Sequence, residues 1–223
     1  GEGEGEGEVE CFTDLAVGEK IEFAALTSRG SEGIAFDGAG GLYISNANNV
    51  AKLNSSAELS VFAADLPGSI GMAFDSSGSL VVAGYGPVFG GDEVDGKLYR
   101  ITPEGLLSVL LDAGTINDPN FIVRTPWGSW LVSDDMRPEI WEVTDDGQAE
   151  IWCDDVVSPN GMVFSADGAT LYVANTFQLD NSPVYAIPVV DGVAGEAVVF
   201  AELGKGASND EMAMDAGGNL YVA

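Results

Sequence analysis

The chain of 223 residues contains no histidine. Imidazole is therefore removed from every catalytic scheme, and zinc loses its commonest ligand. Cysteine is nearly as scarce: Cys11 and Cys153 show no metal-ligand spacing. The repeat register described below sets the two on distant parts of the fold, so they are not expected to pair and give no redox address. Basic side chains number 8 against 36 acidic ones, for a formal net charge of −28. Such a surface repels polyanions, so nucleic acid is not expected as a partner and anionic membrane surfaces are poor candidates. No segment approaches the ~18 consecutive apolar residues that a membrane helix requires, so no membrane span is expected.

What is present suits a turn-rich β protein: 46% hydrophobic residues and 30 glycines. The length fits one undivided domain. The first eight residues, Gly1 to Glu8, alternate Gly and Glu. They read as a flexible acidic leader that cannot pack a core, leaving 9–223 as the folded domain. The four tryptophans, Trp127, Trp130, Trp141 and Trp152, fall in one third of the chain, which points to unequal repeats.

The main signal is internal repetition. EGIAFD (Glu32 to Asp37), IGMAFD (Ile70 to Asp75), NFIVR (Asn120 to Arg124), NGMVFS (Asn160 to Ser165) and DEMAMD (Asp210 to Asp215) recur at steps of 38, 50, 40 and 50 residues. Periods of ~40 to 50 residues are produced by four-stranded propeller blades. Each start leads through a tight turn, with Gly40, Gly78, Gly128, Gly168 and Gly217 as the expected positive-φ glycines, into a second strand such as LYIS, LVVA, WLVS or LYVA. Third strands follow at VAKLN, KLYRIT, EIWEVT and PVYAIPV. Fourth strands follow at ELSVFA, LLSVLL, AEIWCD and AVVFAE. The expectation is an all-β, six-bladed β-propeller with four complete blades and the start of a fifth, present as a C-terminally truncated fragment. KIEFAAL (Lys20 to Leu26), with VECFT (Val9 to Thr13) before it, is expected to supply the strand that closes the ring and removes an open sheet edge.

The first residue of each repeat is Glu32, Ile70, Asn120, Asn160 or Asp210. In a propeller the innermost strands begin at the mouth of the central channel, so these residues converge on one axis. Four of the five are oxygen donors. Carboxylates with amide carbonyls are the ligands that calcium prefers. Asn and Asp also cap turns routinely, so the pattern carries weight through its register and not through any single residue.

The blade motifs, together with Pro119-Asn120, SPNGMVFSADGATLYVANT and NDEMAMDAGGNLYVA, resemble those of the regucalcin/gluconolactonase (senescence-marker-protein-like) family of calcium-dependent lactonases. That family is related to the diisopropylfluorophosphatase and paraoxonase propellers. The resemblance covers Lys20 to Ala223 and is most specific from Ser158 to Thr176. It implies a divalent cation on the channel axis held by Glu32, Asn160 and Asp210, with Asn120 binding the metal or contacting substrate. Calcium is the cation implied, with magnesium, manganese and zinc as the other candidates. Phe121 stands where the family carries Asp, and Glu211 where it carries Gly; both changes bear on substrate more than on metal.

The function implied is metal-assisted hydrolysis of a lactone or related ester, with Asp210 as base or nucleophile. The substrate contacts expected are Asn120, Phe121, Tyr85, Phe89, Phe177 and Glu211. Tyr85 and Phe89 belong to the long loop Gly84 to Lys97, and Phe177 to the loop Asn175 to Pro183. Asp92, Glu93 and Asp95 in the first loop do not form an EF-hand pattern. The alternative is a non-catalytic ligand- or partner-binding propeller with a structural calcium ion. A small-molecule substrate, a monomer, and an extracellular or periplasmic site tethered through the leader complete the expectations.

Overall fold

The computed structural model describes residues 31–54, 56, 58–91, 93–178 and 180–223. The acidic leader, the two segments expected to close the ring, Cys11 and Asp92 lie outside the described residues. Among those described, every regular element is a strand and no helix occurs.

The first sheet runs in the spatial order β1 (Ile34–Phe36), β2 (Leu42–Leu53), β3 (Leu59–Phe74), β4 (Leu80–Gly84), β5 (Lys97–Ile101), β6 (Leu107–Leu111). Two of these are long, and both fold back on themselves. In a straight strand Tyr43 and Lys52 would stand roughly 30 Å apart at ~3.3 Å per residue. Instead Lys52 Nζ lies 4.8 Å from the Tyr43 ring centroid and 3.6 Å from Asp37 Oδ2. The reversal falls at Ala47, with φ of 51°. Similarly, the rings of Phe62 and Phe74 both meet Tyr43, at 4.9 and 5.0 Å, and β3 turns at Asp65 and Gly68, with φ of 64° and 69°. So β2 holds the second and third strands of blade one. β3 holds the fourth strand of blade one and the first strand of blade two, and Ser69 at the corner pairs with both Ala47 and Gly84. This sheet is two four-stranded blades.

Blade three is β7 (Pro119–Arg124), β8 (Trp130–Asp134), β9 (Glu139–Val143) and β10 (Ala149–Cys153). Blade four is β11 (Pro159–Phe164), β12 (Thr170–Asn175), β13 (Pro183–Val190) and β15 (Val198–Glu202); the two-residue β14 (Val193–Ala194) folds back on the end of β13. A two-stranded unit, β16 (Met212–Met214) and β17 (Leu220–Val222), begins a fifth. The innermost strands β3, β7, β11 and β16 lie one against the next. This is the radial arrangement of a β-propeller.

The cores sit between blades, which explains why the second strands are apolar runs and not clean alternations. Val82 joins the cluster of Tyr43, Leu66 and Leu80 between blades one and two. Its neighbours Val81 and Ala83 point the other way, into the cluster of Ile122, Trp130 and Val132 between blades two and three. Leu131 then faces Met162, Leu171 and Val173 between blades three and four, and Ala174 faces Val184 and Met212 beyond. Successive side chains of a strand point to opposite faces, and here each face is covered by a neighbouring blade. Burying one such Leu or Val contributes about 1.5–3 kcal/mol.

The hairpins between first and second strands share one device. The residue closing the first strand holds the turn with its side chain: Asp75 Oδ1 accepts from the backbone N–H of Ser77 and Ser79, and Asp215 Oδ1 from those of Gly217 and Asn219. Three residues after it, a glycine takes positive φ. Gly78, Gly128 and Gly168 do so as expected, at 80°, 97° and 70°. In the fifth unit the expectation of Gly217 is corrected to Gly218, with φ of 81°, because Gly218 N–H closes the turn on the Asp215 carbonyl.

Candidate functional site

All four repeat-opening side chains that carry oxygen reach one cavity of about 350 Å³. Glu32, Asn120, Asn160 and Asp210 line it, together with Ile70, Tyr85, Phe89, Asp135, Thr176 and Phe177. No lysine or arginine is among them. The fold positions them through register: Asn120 follows Pro119, which pairs with Asp134, and Asn160 follows Pro159, which pairs with Asn175. Each opening residue is thus carried to the channel end of its blade.

The two amides are held by their nitrogens. Asn160 Nδ2 donates to Thr176 Oγ1 at 2.8 Å and to Asp210 Oδ1 at 2.7 Å. Its Oδ1 is buried without a hydrogen-bond partner. Asn120 Nδ2 donates to Asp135 Oδ2 at 2.9 Å. A buried carbonyl oxygen left unpaired is costly in a protein interior, and here it belongs to a residue bonded to the Asp210 carboxylate.

Like charges accumulate at the site. Burial raises the pKa of Glu32, and the charge of Asp210 raises it further. Burial also raises Asp210, against the hydrogen bond from Asn160. Glu211 is pushed up to about 7 by burial and by Asp210 and Glu32. Burial pushes Asp135 to about 7; the Asn120 hydrogen bond opposes this, while Asp118, Asp134 and Glu32 add to it. A cation within the cavity would relieve all of these interactions.

Among the described residues no group of three or more Asp, Glu or Cys side chains is disposed to hold a metal ion. A cation here would therefore draw on amide oxygens as well as on the carboxylates of Glu32 and Asp210. That donor set, all oxygen with two negative charges, fits calcium, and the unpaired Asn160 Oδ1 fits an amide ligand.

The expected substrate contacts divide. Tyr85, Phe89 and Phe177 line the cavity; the Tyr85 and Phe89 rings meet edge to face at 5.3 Å. Their loop is tied down by Gly90 N–H to Asp118 Oδ1 at 3.0 Å and by Asn117 Nδ2 to the Gly91 carbonyl at 3.3 Å. Phe121 and Glu211 do not line the cavity. Both occupy the residue after a channel position, where strand alternation turns the side chain away from the channel; Glu211 lines a separate pocket with Met212, Ala213, Tyr221, Val222 and Ala223. Phe121 packs against the apolar cluster between blades three and four. The same position is Gly33, Gly71 and Gly161 in the other blades, where a Cβ would strike the backbone of the next blade. On Gly71 it would overlap the Asn120 carbonyl and sit 2.8 Å from Phe121 Cα; on Gly161 it would overlap the Asp210 carbonyl and sit 2.8 Å from Glu211 Cα.

Sequence reasoning missed Asp135 and Thr176. Each is the residue just after a second strand, the position that register sets beside a channel residue. In blade two it is Tyr85 beside Ile70. Tracking the end of each second strand as closely as the start of each first strand would have found both.

A family model, the SMP-30/Gluconolactonase/LRE-like region, matches residues 131–223, so the resemblance read from the blade motifs recurs across blades three to five. No curated protein sequence matches the chain. Among solved structures the chain is similar to a gluconolactonase from Xanthomonas campestris at 22% identity and a TM-score of 0.71, over 86% of this chain and 69% of that one. It is also similar to the calcium-binding protein regucalcin from Agrobacterium tumefaciens, at 21% identity and a TM-score of 0.65, over 86% and 66%. The structure of a nidogen/laminin complex gives 20% identity and a TM-score of 0.68, over 86% and 71%. At these identities the likeness establishes the propeller fold.

Proposed function

We propose that this chain is a divalent-cation-dependent hydrolase of a lactone or related ester, acting at the channel mouth of a six-bladed propeller. The observation that carries the reading is the gathering of Glu32, Asn120, Asn160 and Asp210 in one cavity, with the amide oxygen of Asn160 left unpaired. The family match over 131–223 and the likeness to a gluconolactonase support it. Glu32, Asn160 and Asp210 would hold the cation, calcium by preference, with Asn120 as ligand or substrate contact. When bound, such an ion polarises an ester carbonyl and acidifies water.

The chain's own residues supply the remainder. Asp210 Oδ1 is occupied by Asn160 Nδ2, so Oδ2 is the atom that accepts the proton of the attacking water. Water adds to the carbonyl carbon and the ring C–O bond breaks. Asp210 Oδ2 then returns its proton to the released alkoxide, giving a hydroxy acid. Tyr85, Phe89 and Phe177 form the wall that receives the organic part of the substrate. Among the described residues no cationic side chain lines the cavity, so a neutral ester suits it better than an anionic one.

The test is lactone hydrolysis by the purified protein with calcium and with EDTA, compared with Asp210→Asn. Calcium-dependent turnover that falls at least ~100-fold in the variant is the expected result. Equal rates would remove Asp210 from the mechanism. A calcium-induced rise in Tm with no hydrolysis of any lactone or ester would leave a binding propeller with a structural ion.

A further inference from the structure

An asparagine side chain has nearly the same shape at both amide ends, but one end donates and the other accepts. What it meets on its far side decides which end faces a cavity. In blades three and four the antiparallel register shifts just after the pairs Pro119–Asp134 and Pro159–Asn175, and there the amide of Asn120 meets Asp135 and that of Asn160 meets Thr176. Both partners are buried, at 2% and 8% exposure.

Each partner is fitted to accept. Thr176 spends its hydroxyl proton on the Asn209 carbonyl at 2.8 Å, so toward Asn160 its Oγ1 offers only a lone pair. Asp210 takes the other N–H of the same amide. Asp135 presents a carboxylate oxygen to Asn120 Nδ2, and its backbone is fixed by Ser158 Oγ donating to the Asp135 carbonyl at 2.5 Å. Reversing the Asn120 amide would set its oxygen against that carboxylate. Reversing Asn160 would set its oxygen against Asp210. In blade two the same pair of positions carries Ile70 and Tyr85, so there is no amide to orient there.

We infer that Asp135 and Thr176 are positioning residues that turn the amide oxygens of Asn120 and Asn160 into the cavity and thereby set its affinity for a divalent cation. The inference rests on the cation site proposed above. Neither residue is required to touch the ion. Partners of this kind, holding the far side of a ligand, typically change metal affinity by about 10–100-fold when removed.

The test is calorimetric titration of calcium into the metal-stripped whole protein at constant pH and ionic strength, with Tm in EDTA as the check on folding. Thr176→Val keeps the shape and removes the acceptor; it should weaken calcium binding by about 10–100-fold. Thr176→Ser restores the hydroxyl and should recover affinity to within about threefold. Asp135→Asn introduces a donor that lets the Asn120 amide turn, whereas Asp135→Thr copies the blade-four partner. Asn at 135 should therefore bind more weakly than Thr by about tenfold or more. The Asp135 pair carries the test by itself if Thr176→Val does not fold. Calcium affinity unchanged in Thr176→Val and Asp135→Asn overturns the inference. So does equal weakness of the Val and Ser variants, or of the Asn and Thr variants. If the unaltered protein binds no calcium at millimolar concentration, the cation site itself fails and takes the inference with it.

Discussion

Gly161→Ala sets two physical effects of opposite sign against each other. Gly161 does not adopt positive φ, so alanine brings no backbone strain there. By restricting the unfolded chain it should stabilise the protein by about 0.4–1 kcal/mol. Against this, the new methyl group would overlap the Asp210 carbonyl oxygen and lie 2.8 Å from Glu211 Cα and 2.9 Å from Met212 N. These are backbone atoms, so no side chain can swing aside; the inner strand of the fifth unit must move. The hydrogen bond from Gly161 N–H to the Asp210 carbonyl, 3.0 Å long, stretches with it. Overpacking of this kind costs about 1–3 kcal/mol, and a weakened backbone hydrogen bond about 1 more. The net expectation is destabilisation by roughly 1–3 kcal/mol, with weaker calcium binding because Asp210 is displaced from Asn160. Urea denaturation in EDTA measures the first effect and calorimetry the second. Gly91→Ala is the control: a Cβ there meets nothing nearer than 3.7 Å, so the substitution should be neutral or slightly stabilising. A Gly161→Ala protein as stable as the parent, within about 0.5 kcal/mol, would refute the close-approach argument.

Two further predictions concern charge. Asp145 joins blades two and three: it accepts from Arg124 Nη1 and Nη2 at 2.7 and 2.8 Å, from Arg100 Nη2 at 2.8 Å and from Trp130 Nε1 at 3.0 Å. Asp145→Ala should cost about 1–2 kcal/mol after allowance for its half-exposed position, read as a fall in Tm of roughly 2–8 °C. Arg124 beside it holds its carboxyl well below the usual range, so its contribution is present at neutral pH and is lost only as pH falls below about 4. Asp134 behaves in the opposite sense. Burial pushes it up to about 6, against the amide hydrogen bonds of Asn117, Asp118 and Met136. A carboxyl raised in the folded state stabilises most below its unfolded pKa and loses that contribution as pH rises through the folded one. In EDTA, stability should therefore fall between pH 4 and 7 by up to roughly 3 kcal/mol from this group, and Asp134→Asn should flatten the slope. An equal slope in the variant would remove Asp134 as its origin.

The amino-acid sequence by itself determined the repeat, and with it the strands. Apolar runs such as LVVA and WLV, spaced by turn residues, leave no other regular structure open to them, and the strands named from them appear in all four blades. It also determined which residues open each blade, because that position is fixed by counting within the repeat. Tertiary structure decided what counting cannot reach. That β2 reverses at Ala47, where no glycine marks the turn, is one such decision. Phe121 looked like a pocket wall because it adjoins Asn120, but alternation along β7 sends it between blades, where three other blades leave room only for glycine. Asp135 and Thr176 acquire meaning only once antiparallel register sets them beside Asn120 and Asn160, some 15 residues away along the chain. Local sequence fixes local hydrogen-bonding geometry; the partners of a buried amide are chosen by how whole blades pack.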